Sequence, residues 1–260
     1  MRVSTGAERL ARVYGAIGIL ALLALWEAGH RAYGAIVLPG LDETARTLWR
    51  LLRDGTVGPA LAATAAHAGA GWLLGAVIGT LAGTAAGLRA GIRHMLQPVS
   101  VVLLGIPSIA WIVLALLWFG GASAVIFTVA IATGPLIFAA AVQGARSLDG
   151  DLARMARAFR APPAAMALDV YGPHMFSHLF PALAAALAMS WKVSVMAELL
   201  SGAGGIGDGI AGARARVDTA ETMAWVVVVV AVLITVDHLL LRRLRRHMEL
   251  WRTDTGGRAG

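Results

Sequence analysis

The sequence predicts an all-α integral membrane protein, a single domain over residues 1–260 with six transmembrane helices. Hydrophobic residues make up 58% of the chain and charged residues 14%, whereas soluble domains carry about 25% charged residues. Residues 94–145 contain no Asp, Glu, Lys or Arg. Because one crossing needs about 20 apolar residues, this stretch alone predicts two spans, separated at the turn-prone segment 119–123.

Apolar runs elsewhere predict the other four spans. The six predicted spans lie near residues 14–28, 63–88, 101–118, 124–142, 181–200 and 222–240. The first run resembles the core of a signal peptide. It is followed by Glu27, His30 and Arg31 in place of a small-residue cleavage site, which favours an uncleaved first span.

Arginines predict the orientation of these spans. Six spans place both termini on one side, where 15 arginines flank the spans against 6 on the other side. The positive-inside bias therefore predicts cytoplasmic termini. Because these arginines lie at span ends and form no patch interleaved with aromatic residues, the pI near 11.1 reflects topology, and no nucleic-acid partner is expected.

Residues 42–54, DETARTLWRLLRD, are expected to form an amphipathic helix on the outer surface. Asp42 suits its start, and Ala45, Leu48, Trp49 and Leu52 fall on one helical face.

The second predicted span carries a strip of glycines at every fourth position, Gly71, Gly75, Gly79, Gly83 and Gly87. A strip without side chains lets another helix approach closely. The favoured interpretation is packing between spans of one subunit, and the alternative is a sliding or dimer contact.

Prolines interrupt the two central spans, Pro107 in the third and Pro135 in the fourth. Proline removes a backbone donor, and lipid tolerates this only where neighbouring helices or a cavity satisfy the freed carbonyl. These helices are therefore candidates to line a translocation path, with static kinks as the alternative.

No motif predicts catalysis on this chain. The pattern G-x-G-x-x-G at residues 202–207 follows an apolar span, not the strand that a dinucleotide site requires. A Walker A loop needs a lysine before Ser or Thr, and the only lysine is Lys192, in SWKVS. No carboxylate lies between His174 and His178 or immediately beyond them, so an interfacial role is favoured over a metal site. The chain has no cysteine, which excludes thiolate chemistry.

Lys192 and Glu198 are ionisable groups inside the fifth predicted span, where such groups are costly and usually face the bundle interior. Six positions apart, they point about 240° from each other on a helix, so each needs a different partner. Lys192 is a candidate to admit an anionic solute. A buried ion pair or carbonyl contact that holds spans together is the alternative.

Residues 151–160 predict a short, two-faced cytoplasmic helix between spans 4 and 5. Its apolar stripe and its basic cluster are formed by Leu152, Met155, Ala156 and Phe159, and by Arg154, Arg157 and Arg160. A helix of roughly ten residues is unstable alone and must dock on something. The candidates are lipid headgroups and a groove of a soluble partner that would receive Met155 and Phe159.

Four segments, taken in their order along the chain, resemble the membrane subunit of a binding-protein-dependent ABC importer of the nitrate, sulfonate and taurine type. They are GIPSIAWIVLALLWFG at 105–120, VQGARSLDGDLARMARAF at 142–159, SWKVSVMAELL at 190–200 and GGIGDGI at 204–210. In that family a loop motif, Glu-Ala-Ala with a later Gly, couples the pore to the ATPase. Here Arg154, Met155 and Ala156 stand at the Glu-Ala-Ala positions and Arg160 at the Gly.

The resemblance implies a permease subunit in the bacterial plasma membrane, acting as a homodimer with two cytoplasmic ATPase subunits and an outer solute-binding protein. ATP and Mg would bind the ATPase subunits, so this chain needs no cofactor. Residues 154–157, Phe159 and Arg160 would engage the ATPase. The third, fourth and fifth spans would line the path of a small anionic solute, with Pro107, Trp111, Pro135, Lys192 and Glu198 as its candidate residues.

Two rival classes remain open at this stage. A stand-alone secondary transporter requires an ionisable relay inside the bundle, for which the chain offers Lys192, Glu198 and Asp237 without a visible inverted repeat. An intramembrane enzyme requires a catalytic grouping, and the sequence contains none that meets the geometric requirements.

Overall fold

A computed structural model describes residues 5–147 and 171–236, together with Pro162 and Met166. This part of the chain is helical and contains no strand. The helices are α1 (Thr5–Tyr33), α2 (Leu41–Arg53), α3 (Val57–Leu88), α4 (Ala90–Gly105), α5 (Ser108–Trp118), α6 (Gly121–Arg146), α7 (Gly172–Ser201), α8 (Ile206–Ala215) and α9 (Thr219–Val236).

Five of these helical segments are long and apolar enough to cross a membrane, and a sixth crossing is obtained if α4 and α5 count as one bent span. Four predicted spans lie within α1, α3, α6 and α7, which extend beyond them by several residues. The described part of the last predicted span, residues 222–236, lies in α9. The predicted cytoplasmic helix at 151–160 lies outside the described residues.

The structure differs from the sequence prediction at the third span, which was expected to be a single helix over residues 101–118. The chain forms two helices, α4 and α5, which meet at Ile106 and Pro107 at an angle of 100°. Pro107 has no N–H to continue the α4 hydrogen-bond ladder, and Ile106 has the extended conformation that a residue before proline prefers. The proline therefore ends one helix and begins the next instead of bending a continuous one.

Helices α3 and α6 form the centre of the fold, and their contact runs along the glycine strip. A Cβ atom added at Gly71 would lie 2.5 Å from the Val129 side chain, and one at Gly83 would lie 2.5 Å from the Phe138 carbonyl oxygen. Partner positions advance along both helices in the same direction, so the two helices are parallel. The close approach therefore occurs between helices of one chain, as the favoured interpretation predicted.

Helix α7 packs against both α6 and α3, and α5 contacts α6 and α7. Ile112 on α5, Val129 on α6 and Val193 on α7 belong to one buried cluster. A second cluster joins α2, α8 and α9 around Trp225 and Leu51. The strongly bent α4–α5 pair therefore remains attached to the body of the protein through α6 and α7.

Helix α2 is amphipathic as predicted, but its protein-facing side is not its most apolar one. Thr44, Thr47 and Leu51 are buried, whereas Trp49 and Leu52 are exposed by 69% and 51%. Apolar side chains are stable against a membrane surface, so the face that contacts protein need not carry them. At the start of α2, hydrogen bonds from the Arg46 side chain and the Glu43 backbone lower the pKa of Asp42.

Candidate functional site

Glu198 lies at the centre of a hydrogen-bond network that joins α3, α7 and α8. Its side chain is 0% exposed. Oε1 lies 2.9 Å from His67 Nδ1, and Oε2 accepts hydrogen bonds from the Thr64 hydroxyl at 2.8 Å and the Gly207 N–H at 3.1 Å. The Thr64 oxygen in turn accepts the Ile206 N–H at 2.9 Å. The carboxylate therefore joins its own helix, α7, to α3 and to the start of α8.

The segment GGIGDGI gives the network its shape. Gly205 has a φ of +100°, a conformation that favours glycine, and it leads directly into α8. At Gly207 an added Cβ would lie 2.7 Å from the Glu198 Cβ and equally close to the Leu199 backbone nitrogen. Because they have no side chains, these glycines bring the start of α8 within reach of Glu198. Negative charge is favourable at the N-terminus of a helix. The preceding element is helix α7, which agrees with the rejection of a dinucleotide site.

Two members of this network, Thr64 and His67, were not singled out from the sequence. His67 lies in the middle of an apolar run, and an ionisable residue within a span is by itself a signal of function. Thr64 offers no comparable signal, because a threonine in a span can satisfy its own hydroxyl through the backbone, as Thr128 and Thr133 do in α6.

Lys192 and Glu198 lie apart, as their spacing along the helix requires. Glu198 is buried in the network, whereas Lys192 is exposed on the surface of the single chain. Lys192 directly precedes Val193, a member of the cluster that joins α5, α6 and α7. No described residue forms an ion pair with it.

Trp111 occupies the equivalent place on α5, directly before Ile112 of the same cluster. Its indole Nε1 is buried and has no hydrogen-bond acceptor among the described residues. A buried donor without a partner costs about 1–3 kcal/mol. Pro107, one helical turn earlier, is exposed. Trp111 and Lys192 thus each directly precede a member of one buried cluster.

Pro135 lies elsewhere. It is buried in α6 and lines an apolar cavity that α3 and α4 complete. The five candidate path residues therefore lie in three places. Pro107, Trp111 and Lys192 lie beside the buried cluster of α5, α6 and α7, Glu198 lies in its hydrogen-bond network, and Pro135 lines this cavity.

His174 and His178, at the start of α7, both lie near the Ser147 hydroxyl, which follows α6. The distances from Ser147 Oγ to the two Nε2 atoms are 3.1 and 2.9 Å. Among the residues that the structure describes, no group of three His, Cys, Asp or Glu side chains is placed to hold a metal ion. The histidines thus connect the two ends of the segment 148–170. The candidate coupling residues Arg154, Met155, Ala156, Arg157, Phe159 and Arg160 lie outside the described residues.

Several apolar spans and helices packed through glycines define a multi-pass membrane protein. The chain belongs to the family described as binding-protein-dependent transport system inner membrane component, which it matches over residues 75–250. Members of this family are inner-membrane components of transport systems, and the resemblance found in the sequence motifs is confirmed.

Curated relatives give the type of transporter. The putative aliphatic sulfonates transport permease protein SsuC of Escherichia coli is 31% identical over 189 residues, 72% of each chain. The riboflavin transport system permease protein RibX of Chloroflexus aurantiacus is 30% identical over 239 residues, 90% of this chain and 88% of its own. Permeases named for nitrate and taurine also match. This chain is therefore an ABC permease of the nitrate, sulfonate and taurine type.

A solved structure shows the same fold. The chain resembles one from inward-facing conformations of the MetNI methionine ABC transporter with a TM-score of 0.60 and 19% identity, over 76% of this chain and 96% of that chain. At this level of identity the likeness concerns the fold alone.

Proposed function

We propose that this chain is the permease subunit of an ATP-driven importer and forms the path of a small anionic solute that a binding protein delivers. Family membership over residues 75–250 is the observation that carries this proposal. The chain supplies the path and no catalytic group. ATP and Mg bind separate ATPase subunits.

The proposed topology has six crossings, with α4 and α5 together forming the third and both termini in the cytoplasm. It is supported by the parallel packing of α3 and α6, because the second and fourth crossings run in the same direction through a membrane. Two copies of the chain enclose the path, and lipid surrounds the dimer.

The ATPase is proposed to engage the loop between α6 and α7. Met155 and Phe159 enter its groove, and Arg154, Ala156, Arg157 and Arg160 lie around them. The sequence supports this role through the short apolar stripe, because so short a helix requires a docking partner. Three arginines in place of the usual motif residues favour an acidic groove on that partner.

The solute path is proposed to run beside the buried cluster that joins α5, α6 and α7. Lys192 supplies positive charge there, and the Trp111 indole N–H is a donor without an acceptor in the described chain. The exposed Lys192 ammonium suits an anion, because it offers only hydrogen-bond donors, whereas the buried Trp111 N–H would have to become exposed to contact the solute. Pro107 shapes the start of α5. Glu198 and Pro135 do not contact the solute in this proposal, and they hold α8 and α6, respectively, in position.

The ATPase contact is tested by copurification from native membranes in mild detergent. We expect wild-type protein to recover a Walker-type ATPase and the variant Phe159→Asp to lose it, because a carboxylate would be buried in an apolar groove. The matched control is Phe159→Leu, which keeps an apolar side chain and should retain the ATPase.

Equal size-exclusion profiles of the three proteins would show that Phe159→Asp leaves the permease folded. Full transport by an intact Phe159→Asp complex would disprove docking through this helix. Recovery of wild-type chain alone, without any ATPase, would instead favour a stand-alone secondary transporter.

A further inference from the structure

An apolar cavity of about 250 Å³ lies between α3, α4 and α6. Leu74, Ile78, Leu96, Val99, Phe127 and Ile131 form much of its wall, and Ser100 contributes the one hydroxyl-bearing side chain. An engineered apolar cavity of about 150 Å³ in another protein stays dry and binds benzene. The cavity described here is therefore suited to hydrocarbon and not to a polar solute.

Helices α3 and α6 form two sides of this space where they meet. Gly75 and Gly79 on α3 and Gly134 on α6 contribute no side chain to the wall, although they bring the two helices together. Helix α4 closes the third side with one face only, and Val101, Val102 and Leu104 on its other face are exposed. The cavity thus lies at the edge of the bundle, within reach of the surrounding lipid.

Basic residues continue the lining face of α4 toward its N-terminus. Leu96, Ser100 and Leu103 line the cavity, and Arg93 lies one turn before Leu96 on the same face. Arg89 stands at the corner where α3 ends and α4 begins. None of the acidic side chains that the structure describes forms an ion pair with either arginine.

We propose that this cavity holds one acyl chain of an anionic phospholipid, whose phosphate lies between Arg89 and Arg93. Arginine binds phosphate in a bidentate manner and is less strongly hydrated than lysine, while the cavity takes methylene groups that already belong to a hydrocarbon phase. A helix of a second copy, about 10–12 Å across, is too wide for this space. The site is separate from the α5–α7 cluster and goes beyond the proposed transport function.

Native mass spectrometry of the purified protein, exchanged into micelles that contain phosphatidylglycerol and phosphatidylethanolamine in equal amounts, tests the site. We expect wild-type protein to retain one phosphatidylglycerol per chain. Ala82→Phe, which fills the cavity, should lower this retention about tenfold. The matched control is Ala70→Phe, at an exposed position of the same helix outside the cavity, which should retain the lipid.

The variant Arg93→Gln tests recognition of the headgroup without changing the packing of the interior. We expect it to reduce the preference for phosphatidylglycerol over phosphatidylethanolamine about tenfold, as loss of one charge-assisted hydrogen bond would, whereas Arg146→Gln at the end of α6 should not. Equal lipid retention by Ala82→Phe and Ala70→Phe, or no headgroup preference in the wild type, would overturn the proposal. Loss of dimer with unchanged lipid in Ala82→Phe would also overturn it, since a second copy would then occupy the cavity.

Discussion

Glu198 shows how one buried carboxylate can organise three helices. Each of its oxygens has a partner, and two of the donors, the Gly207 N–H and the Thr64 hydroxyl, share Oε2. An apolar residue of the same size would leave both donors buried without an acceptor. The network therefore depends on acceptor oxygens at this position more than on the volume of the side chain.

Replacing Glu198 by Leu is expected to lower the free energy of unfolding by about 2–6 kcal/mol, which is about 1–3 kcal/mol for each of two stranded donors. Glu198→Gln is the control. Its oxygen can accept from Thr64 and Gly207 while its amide donates to His67 Nδ1, so we expect a loss below about 1 kcal/mol. Thermal unfolding in detergent, followed by size exclusion, measures both. Equal destabilisation by Leu and Gln would mean that the charge itself is required.

The sequence was sufficient to select Glu198 but not to find its partners. A carboxylate in an apolar run is conspicuous because its burial is costly. Its partners on α3 are separated from it by 131 and 134 residues, and only the packing of α3 beside α7 brings them together. Lys192 could likewise be selected, but its exposed position depends on the rotation of α7 about its own axis.

At the scale of the helices, α3 and α6 approach each other through backbone atoms. A Cβ at Gly79 would lie 2.6 Å from the Gly134 carbonyl oxygen and 3.1 Å from the Phe138 nitrogen. Backbone atoms of a helix cannot move aside as a flexible side chain can. Any side chain at Gly79 must therefore separate the two helices.

Gly79→Ala is expected to destabilise the protein by about 1–3 kcal/mol through overpacking, although alanine favours helix over glycine by about 1 kcal/mol. The control is Gly69→Ala in the same helix, where an added Cβ has no neighbour within 4 Å. This variant should be neutral or slightly more stable. Apparent melting temperatures of the two variants provide the comparison. A Gly79→Ala protein as stable as Gly69→Ala would show that the helices tolerate separation.

The spacing of the glycines predicted this contact, because a four-residue repeat stays on one side of a helix. The break between α4 and α5 was harder to predict. Pro107 indicated a bend, but proline within a membrane helix is compatible with a continuous kinked helix. The angle of 100° depends on which surfaces of α6 and α7 receive α5, and these are not visible in a local pattern.

For the whole molecule, the distribution of arginines predicts which ends of the helices face the cytoplasm. Gly58 and Gly91 lie in the first turns of α3 and α4, both are exposed, and an added Cβ meets no atom within 4 Å at either position. They lie near opposite ends of α3. Cysteine at each position therefore reports on one side of the membrane.

Because the natural chain has no cysteine, single-cysteine variants can be labelled without background. In intact cells, a membrane-impermeant maleimide is expected to label Gly58→Cys and to label Gly91→Cys only after permeabilisation. Labelling after full denaturation serves as the control for expression. The reverse pattern would invert the proposed topology and place residues 151–160 outside the cell, away from any ATPase.

The break at Ile106 and Pro107 has a mechanical consequence. Helix α4 lies along α3, and α5, turned by 100° from it, lies nearly crosswise. Its 11 residues span about 16 Å, with Pro107 as a pivot at one end and Ile112 buried against α6 and α7 near the middle. A rotation of about 10° at this pivot would displace the far end of the helix, at Trp118, by about 3 Å. Such a rotation would also shift the buried contact of Ile112 with α6 and α7, so a change at residues 106 and 107 would be felt by both of these helices.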